Sequence, residues 1–428
     1  MLIKKVFRYL RRYGLKATIL IILLRIANKT EFPVEIREIR QLKTRVDKQL
    51  GDRKRVNLLV PSINKGSVFG GATTAISFFI ELYNTLGVDA RIIAADAYID
   101  EICDVVPDCF EFVDDYRESS SHFQMMSIVD RNDSKLLPVG ANDIFIATAW
   151  GTAYTLHPVI SWQKETFGGK AHPLIYMIQD YEPGFYPWSS KYVLAESTYN
   201  HSDDTIAVFN SQELYGFFQK QGYSFKHEHV FNPVLNDKLR DCLLAAKPTT
   251  RKKQVIVYGR PSVTRNVFEI IEVSLRLWAQ QQTDINKWNI LSAGEPHPDV
   301  ELIAGVKLRS IGKLSLEEYA SLMLESYMGI SLMVSPHPSY PPLEMSTFGM
   351  KTITNTYANK DLSGFNENII SLKSFDTFKI SAELLRLASE FPGEAKVAID
   401  TPYVEGAVSG DQFKEICDGI ARQLRVDS

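Results

Sequence analysis

Twice along this chain, short apolar runs alternate with helical stretches, and that alternation leaves few folds open. Residues 56–60 (VNLLV) are an apolar run ended by Pro61, the pattern of a buried strand. A loop with Gly66, Gly70 and Gly71 follows, then a helix over 72–86 that Gly87 stops, then a strand over 88–94. Further strands read at 143–149 (DIFIATA), 174–179 (LIYMIQ) and 205–210 (TIAVFN), with helices near 152–164, 189–199 and 211–221. Residues 236–253 break the pattern: they are charged, contain Pro248-Thr249-Thr250 and end in Arg251-Lys252-Lys253, which reads as a linker. The grammar then restarts with a strand at 254–258 (QVIVY), Gly259, a helix over 266–281 and strands at 288–292 and 308–312. A helix over 315–326, a strand over 329–334, a short helix over 341–348 and a strand at 351–355 (KTITN) complete it.

The expected fold is therefore α/β, with two doubly wound, parallel-sheet, Rossmann-like domains whose carboxyl edges face a central cleft, where such sheets bind ligands. The expected boundaries are a basic helical extension over 1–54, a first domain over 55–236, a linker over 237–253, a second domain over 254–405 and a C-terminal helix over 406–428 that packs back on the first domain. A length of 428 residues suits two or three domains. The 45% hydrophobic and 23% charged content excludes a disordered chain and a polytopic membrane protein. A net charge of -3 argues against a nucleic-acid binder. Cys103, Cys109, Cys242 and Cys417 have neither CxxC nor zinc spacing, which fits a reducing, cytoplasmic compartment.

The charge is unevenly spread. Lys4, Lys5, Arg8, Arg11, Arg12, Lys16, Arg25 and Lys29 precede the first acid, Glu31. Val6, Phe7, Leu10, Tyr13 and Leu15 fall between them at helical spacing, and residues 17–24 are an apolar run too short to span a bilayer. Two readings stand: an amphipathic helix on an anionic membrane surface through residues 1–27, or a helix packed on the body or on a second subunit of a homodimer. Arg11-Arg12 before an apolar run suggests export, but no small-x-small cleavage site follows. Residues 35–55 read as a charged helical connector.

Two motifs carry the chemistry. In Gly259-Arg260-Pro261-Ser262-Val263-Thr264-Arg265-Asn266, a strand ends in glycine, and two arginines then flank a helix start. Guanidiniums beside free helix N–H groups suit a diphosphate, and two solvated surface arginines are the plainer alternative. In residues 335–349 (SPHPSYPPLEMSTFG), a strand runs into a Pro-rich loop, and Pro341 or Pro342 opens a helix with Glu344 in its first turn. Glu344 either stabilises the helix dipole or accepts hydrogen bonds from ribose hydroxyls. Asp180, Tyr181 and Glu182, with the Phe185-Tyr186-Pro187-Trp188 stretch, form either a platform for an acceptor sugar or a packed aromatic loop. Trp150-Gly151-Thr152 lies at the same edge, and Asn210-Ser211 suits a helix cap. His157, His172 and His337 are isolated, and only His337 sits in a motif.

These segments, with SAGEP and SIGKLSLEEYASLM between them, resemble the C-terminal half of GT-B glycosyltransferases of the retaining family 4 over residues 254–356. The stretch 176–199 (YMIQDYEPGFYPWSSKYVLAESTY) is similar to the WsaF rhamnosyltransferases of bacterial S-layer glycan assembly. The resemblance implies a hexosyltransferase that moves rhamnose from dTDP-rhamnose, with retention and without metal or other cofactor, onto a growing lipid-linked surface glycan at the inner face of the cell membrane. It implies Arg260, Arg265, Asp180 and Glu344 as the catalytic set, with Lys313 helping to hold the leaving diphosphate. Donor contacts would come from Gly70, Gly71, Gly259, Arg260, Arg265, Lys313, Ser339, Tyr340 and Glu344. Two departures stand out. The first glutamate of the family's E-x7-E motif falls on Pro336, so Ser339, Tyr340 or backbone would replace it. Gln179-Asp180 stands where relatives have His-Asp, which is compatible with a 6-deoxy donor sugar. The rivals are a GT-B sugar-nucleotide 2-epimerase, a non-catalytic nucleotide- or glycan-binding protein, and a NAD enzyme. The first loop does not spell G-x-G-x-x-G, which counts against the last.

Overall fold

Strands buried at every residue form the centre of one sheet, and a strand buried over its middle residues forms the centre of the other. The computed structural model describes residues 36–426 apart from 66–69, 114–118, 130–135, 170, 247–249, 393–395 and 407–410. The basic head (residues 1–30) and Gly66 lie outside the described residues. Both sheets belong to one compact unit, Gln41–Ser428.

In chain order the first half contributes β1 (Thr44–Val46), β2 (Arg55–Val60), β3 (Asp89–Ala94), β4 (Glu111–Phe112), β5 (Phe123–Ser127), β6 (Leu137–Val139), β7 (Asp143–Ala147), β8 (Leu174–Ile178), β9 (Thr205–Phe209) and β10 (His227–Val230). Eight of these form a parallel sheet in the order β10-β9-β8-β7-β2-β3-β5-β4. The second half contributes β11 (Lys252–Gly259), β12 (Asn289–Gly294), β13 (Val300–Ile303), β14 (Val306–Gly312), β15 (Ser326–Ile330), β16 (Lys351–Asn355) and β17 (Ile369–Leu372). Its sheet runs β13-β14-β12-β11-β15-β16-β17, parallel except for the edge strand β13.

Helices cover both faces of each sheet because their apolar residues recur at helical spacing. On the second sheet, Ile271, Leu275 and Trp278 of helix Phe268–Gln281 and Ile380, Leu384 and Leu387 of helix Thr377–Ser389 fill one layer. Leu343 and Met345 of helix Tyr340–Thr347 and Ala320 and Met323 of helix Leu316–Glu325 fill the other. The last helix, Asp411–Val426, returns to the first half. Its Phe413, Ile416, Cys417, Ile420 and Leu424 are buried there, with the Phe413 ring 5.7 Å from that of Phe78 in helix Gly70–Leu86.

Three segments differ from expectation. Residues 237–253 are not a plain linker: Asp237–Leu244 is a helix, capped by the Asn236 side chain, and its Leu239 and Leu243 are buried beside the second sheet. Residues 41–54 are not a helical connector. Leu42 and Leu50 are buried, β1 pairs with β6, and Asp47 forms an ion pair with Arg55 at 3.1 Å. The apolar run 329–334 is only partly strand, since β15 starts at Ser326 and ends at Ile330. No helix among the described residues is long and apolar enough to cross a membrane.

Candidate functional site

The carboxyl edges of the two sheets meet at Asp180, just beyond β8. Its buried carboxylate accepts from Tyr181 N–H at 2.8 Å and from the Ser335 hydroxyl, on the loop after β15, at 2.5 Å. The Arg265 guanidinium stands 4.0 Å from its other oxygen and lies over the Phe185 ring at 4.0 Å. Burial pushes the Asp180 carboxyl up, against the pull of Ser335 and Arg265. Lys360 is buried close by, and its ammonium donates to the Met333 carbonyl at 3.1 Å. Burial lowers Lys360 to about 8, although Asp180 and Glu213 favour its charge.

The carboxyl edge of the second sheet is built by glycines. A side chain at Gly259 would lie 1.9 Å from the Ser292 hydroxyl, and one at Gly294, which has φ +137°, would lie 2.5 Å from the Gly259 carbonyl. Gly259 is thus required by the closeness of β11 to β12 rather than by a turn of its own. The next residues, Arg260 and Glu295, lead out of the sheet. Glu295 accepts from Ser262 N–H at 3.0 Å, which together with nearby Arg260 holds its carboxyl below the usual range. Lys313 is exposed just past β14, after Gly312. On the opposite edge, Gly71 begins helix Gly70–Leu86 against Gln179, where a Cβ would meet the amide oxygen at 2.4 Å, while Gly70 faces open space.

The loop after β15 is tied at several points. Asn355 accepts from Met333 N–H at 2.7 Å and donates to its carbonyl at 3.0 Å. Val334 N–H reaches the Arg265 carbonyl at 2.8 Å. Ser335 Oγ accepts from His337 N–H, and His337 Nδ1 accepts from Ser339 N–H, both at 3.0 Å. Ser339 has φ +71°, unusual for a residue with a side chain, and Tyr340 begins the helix. Burial raises the Tyr340 phenol to about 12, with the Thr74 hydroxyl of the facing half as its partner. Glu344 lies in the second turn of helix Tyr340–Thr347, not the first, so charge–dipole stabilisation does not account for it. Burial raises its carboxyl to about 7, with the Tyr319 phenol facing it.

The acidic-aromatic cluster divides. Glu182 is buried and accepts from Trp150 N–H at 2.5 Å, so it caps helix Trp150–Thr166, and burial raises it to about 8. Tyr181 packs among Tyr199, Phe217 and Phe218. Trp188, in contrast, is 90% exposed and stacks on Tyr192 at 5.3 Å. Ser211 caps helix Gln212–Lys220, accepting from Leu214 N–H at 3.1 Å. The four cysteines are unpaired. Among the described residues no cluster of metal-ligating side chains occurs.

Sequence reasoning missed Ser335 and Lys360, and it did not foresee the stacking of Arg265 on Phe185. The signal for Ser335 was slight, a hydroxyl at the exit of an apolar strand.

Two Rossmann-like halves joined edge to edge through Asp180, Ser335 and Arg265 define the GT-B glycosyltransferase class. Within it the chain belongs to the WsaF family: the WsaF N-terminal domain matches residues 55–212 and the WsaF C-terminal domain matches residues 253–385. The O-antigen biosynthesis protein RfbC of Myxococcus xanthus is 32% identical over 231 residues, which is 52% of this chain and 16% of that much longer protein. Among solved structures, sucrose-phosphate synthase from Thermosynechococcus elongatus superposes with a TM-score of 0.58 at 12% identity, over 88% of this chain and 100% of that one. Anabaena HepE in complex with UDP-glucose superposes with a TM-score of 0.50 at 12% identity, over 87% and 98%.

Proposed function

We propose that the protein transfers a sugar, rhamnose from dTDP-rhamnose, with retention, onto a growing lipid-linked surface glycan. The observation that carries this reading is the junction of the two sheet edges, where Asp180 of one half accepts from Ser335 of the other beside Arg265. Membership of the WsaF family, the RfbC likeness and a fold shared with a UDP-glucose complex support it. In this reading Arg260 and Arg265, with Lys313, hold the diphosphate and stabilise the charge that develops on it as the glycosidic bond breaks. Glu344 accepts from the ribose hydroxyls. The donor lies along Gly70, Gly71 and Gly259; the side-chain positions of Gly71 and Gly259 are taken by Gln179 and Ser292, so its contact there is with backbone. The acceptor glycan lies toward the exposed face of Trp188, since aromatic faces stack on sugar rings.

The experiment is calorimetry against a panel of nucleotide sugars, followed by transfer to a synthetic acceptor with the product anomer read by NMR. Turnover of the donor without an acceptor would select the epimerase, and binding without any turnover would select a non-catalytic binder. Arg265→Ala is expected to weaken nucleoside diphosphate binding by about 1.5–3 kcal/mol, the range for charge-assisted hydrogen bonds. Arg265→Lys restores little of it, because an ammonium does not stack on Phe185 as a planar guanidinium does. Unchanged affinity in both variants removes Arg265 from the diphosphate site.

The basic head places the enzyme at the membrane in this reading. Each Lys or Arg near an anionic surface contributes about 1 kcal/mol before screening, so several hold a peripheral protein. Deleting residues 1–35 is expected to abolish cosedimentation with anionic liposomes at low salt and to leave transfer to a short soluble acceptor intact. The deletion stops there because Leu42 and Asp47 belong to the folded body. Failure of the intact protein to bind such liposomes excludes the membrane role.

A further inference from the structure

We propose that His337 reads the sugar of the donor, its Nε2–H donating to a hydroxyl or ring oxygen of the pyranose. The inference rests on the nucleotide-sugar reading of the site above. His337 is 6% exposed, so its ring is out of solvent. Its Nδ1 accepts from Ser339 N–H at 3.0 Å, which assigns the proton of the neutral ring to Nε2. That Nε2 is buried and has no hydrogen-bond partner in the protein. A buried donor without an acceptor is costly, and native proteins keep few of them. Other buried polar atoms are also unpaired, Trp278 Nε1 and His157 Nε2 among them, and the Nε2–H of His337 is set apart by its place beside Lys360 and Arg265 at the seam.

Its surroundings identify the ligand. Burial, with Lys360 and Arg265 acting on the ring electrostatically, holds the imidazole down at about 3, so it stays neutral at any working pH. The ring supplies one directional N–H and no charge, among groups that favour an oxygen acceptor. The Tyr340 ring, 5.7 Å away, flanks it at the start of the helix that carries Glu344. His337 N–H also donates to the same Ser335 hydroxyl that reaches Asp180 of the first half. The imidazole thus stands on the nucleotide side of the seam where donor and acceptor halves join. A nucleotide sugar that lays its diphosphate on the arginines brings its pyranose to that seam. The fixed tautomer matters, because an imidazole free to exchange its proton would equally accept from a hydroxyl and would discriminate less. Ser339 at φ +71° keeps the backbone N–H pointed at Nδ1, so the unusual loop conformation sets the tautomer.

Two substitutions separate the ring's two nitrogens. His337→Asn keeps an acceptor near the Nδ1 position for Ser339 N–H and removes the Nε2 donor. His337→Gln does the reverse, since its amide N–H reaches the Nε2 position. The readout is the ratio of affinities for dTDP-rhamnose and dTDP, and for UDP-glucose and UDP, by calorimetry on the full chain, with melting temperature as the check on folding. For the pair that the parent binds, His337→Asn is expected to weaken the nucleotide sugar by about 3–10-fold, the range for one neutral hydrogen bond, with the free nucleoside diphosphate unchanged. His337→Gln is expected to keep most of the sugar's increment even if it melts lower. Equal losses for sugar and diphosphate in His337→Asn overturn the proposal, as does loss of the increment in folded His337→Gln. If the parent binds none of the four compounds, the nucleotide-sugar reading itself falls, and this inference with it.

Discussion

Asp143→Ala is expected to destabilise the protein by about 3–5 kcal/mol, the range for breaking a buried charge pair from one side. Asp143 is wholly buried at the start of β7. Its carboxylate receives two hydrogen bonds from Arg55 at 2.8 Å, one from Asn57 at 2.8 Å and one from Gly140 N–H at 2.7 Å. Arg91, also buried, lies 3.8 Å away and donates to Asn57 and to the Pro138 carbonyl. Burial and the neighbouring Arg55 hold Arg91 down at about 9. Without Asp143, two buried guanidiniums retain Asp47 alone as a counter-charge among the described residues. Burial alone would raise the Asp143 carboxyl, but Arg55 and Arg91 overcome it and leave it below its usual value. A depressed carboxyl contributes stability above the unfolded value, near pH 4, and loses it as pH falls further. Urea titration at pH 7 and pH 3 measures both effects: the loss in the variant is expected to be large at pH 7 and smaller at pH 3. The network lies at the amino ends of the strands, opposite the site, so activity per folded molecule is expected to be unchanged. A variant as stable as the parent at pH 7 removes the network from the fold's foundations.

That network shows what the sequence discloses and what it hides. Arg91 inside DARIIA and Asp143 opening DIFIA were visible as charges embedded in apolar strands, yet their pairing, like that of Arg55, depends on which strands become neighbours. The central strands of the first sheet were legible because each keeps three or more consecutive apolar residues, even where Asn57 or Arg91 interrupts the strand. β5 was not, because Gln124 interrupts it, and that side chain is buried to bond the Ser119 and Ser121 carbonyls. β10 (HEHV) is a half-exposed edge strand with one apolar residue and so carries no signal. Helix Asp237–Leu244 shows two leucines four residues apart within a charged stretch, too short a pattern to separate from a linker. The arginines and Glu344 stood out because their local context is chemically unusual. Ser335 and Asp180 are 155 positions apart, and only the docking of two domains joins them. The role of Glu182 was misleading for the same reason, since the helix it caps begins 32 residues earlier.

Glu344→Gln is expected to weaken donor binding by about 1.5–3 kcal/mol, which is roughly 10- to 150-fold, and to lower turnover at subsaturating donor by at least as much. The carboxylate is proposed to accept from ribose hydroxyls, and an amide of the same size offers one weaker acceptor where the carboxylate offers two. Burial raises the free protein's Glu344 to about 7. Below that pH the group is mostly protonated and must lose its proton to receive both hydroxyls. Donor affinity is therefore expected to climb between pH 5.5 and 7.5 and then level off, and the Gln variant is expected to be flat across the same range. Stability has the opposite sign. A carboxyl raised from its ordinary value near 4.3 to about 7 binds more proton when folded than when unfolded. The folded state consequently loses stability as pH rises through that window, and Gln, which cannot ionise, does not. At pH 8 the variant is expected to melt no lower than the parent while binding donor poorly, the inverse relation of stability and function often found at binding sites. Added donor is expected to raise the parent's melting temperature more than the variant's. A variant that melts well below the parent at pH 8, yet retains normal turnover per folded molecule, would return Glu344 to a purely structural role.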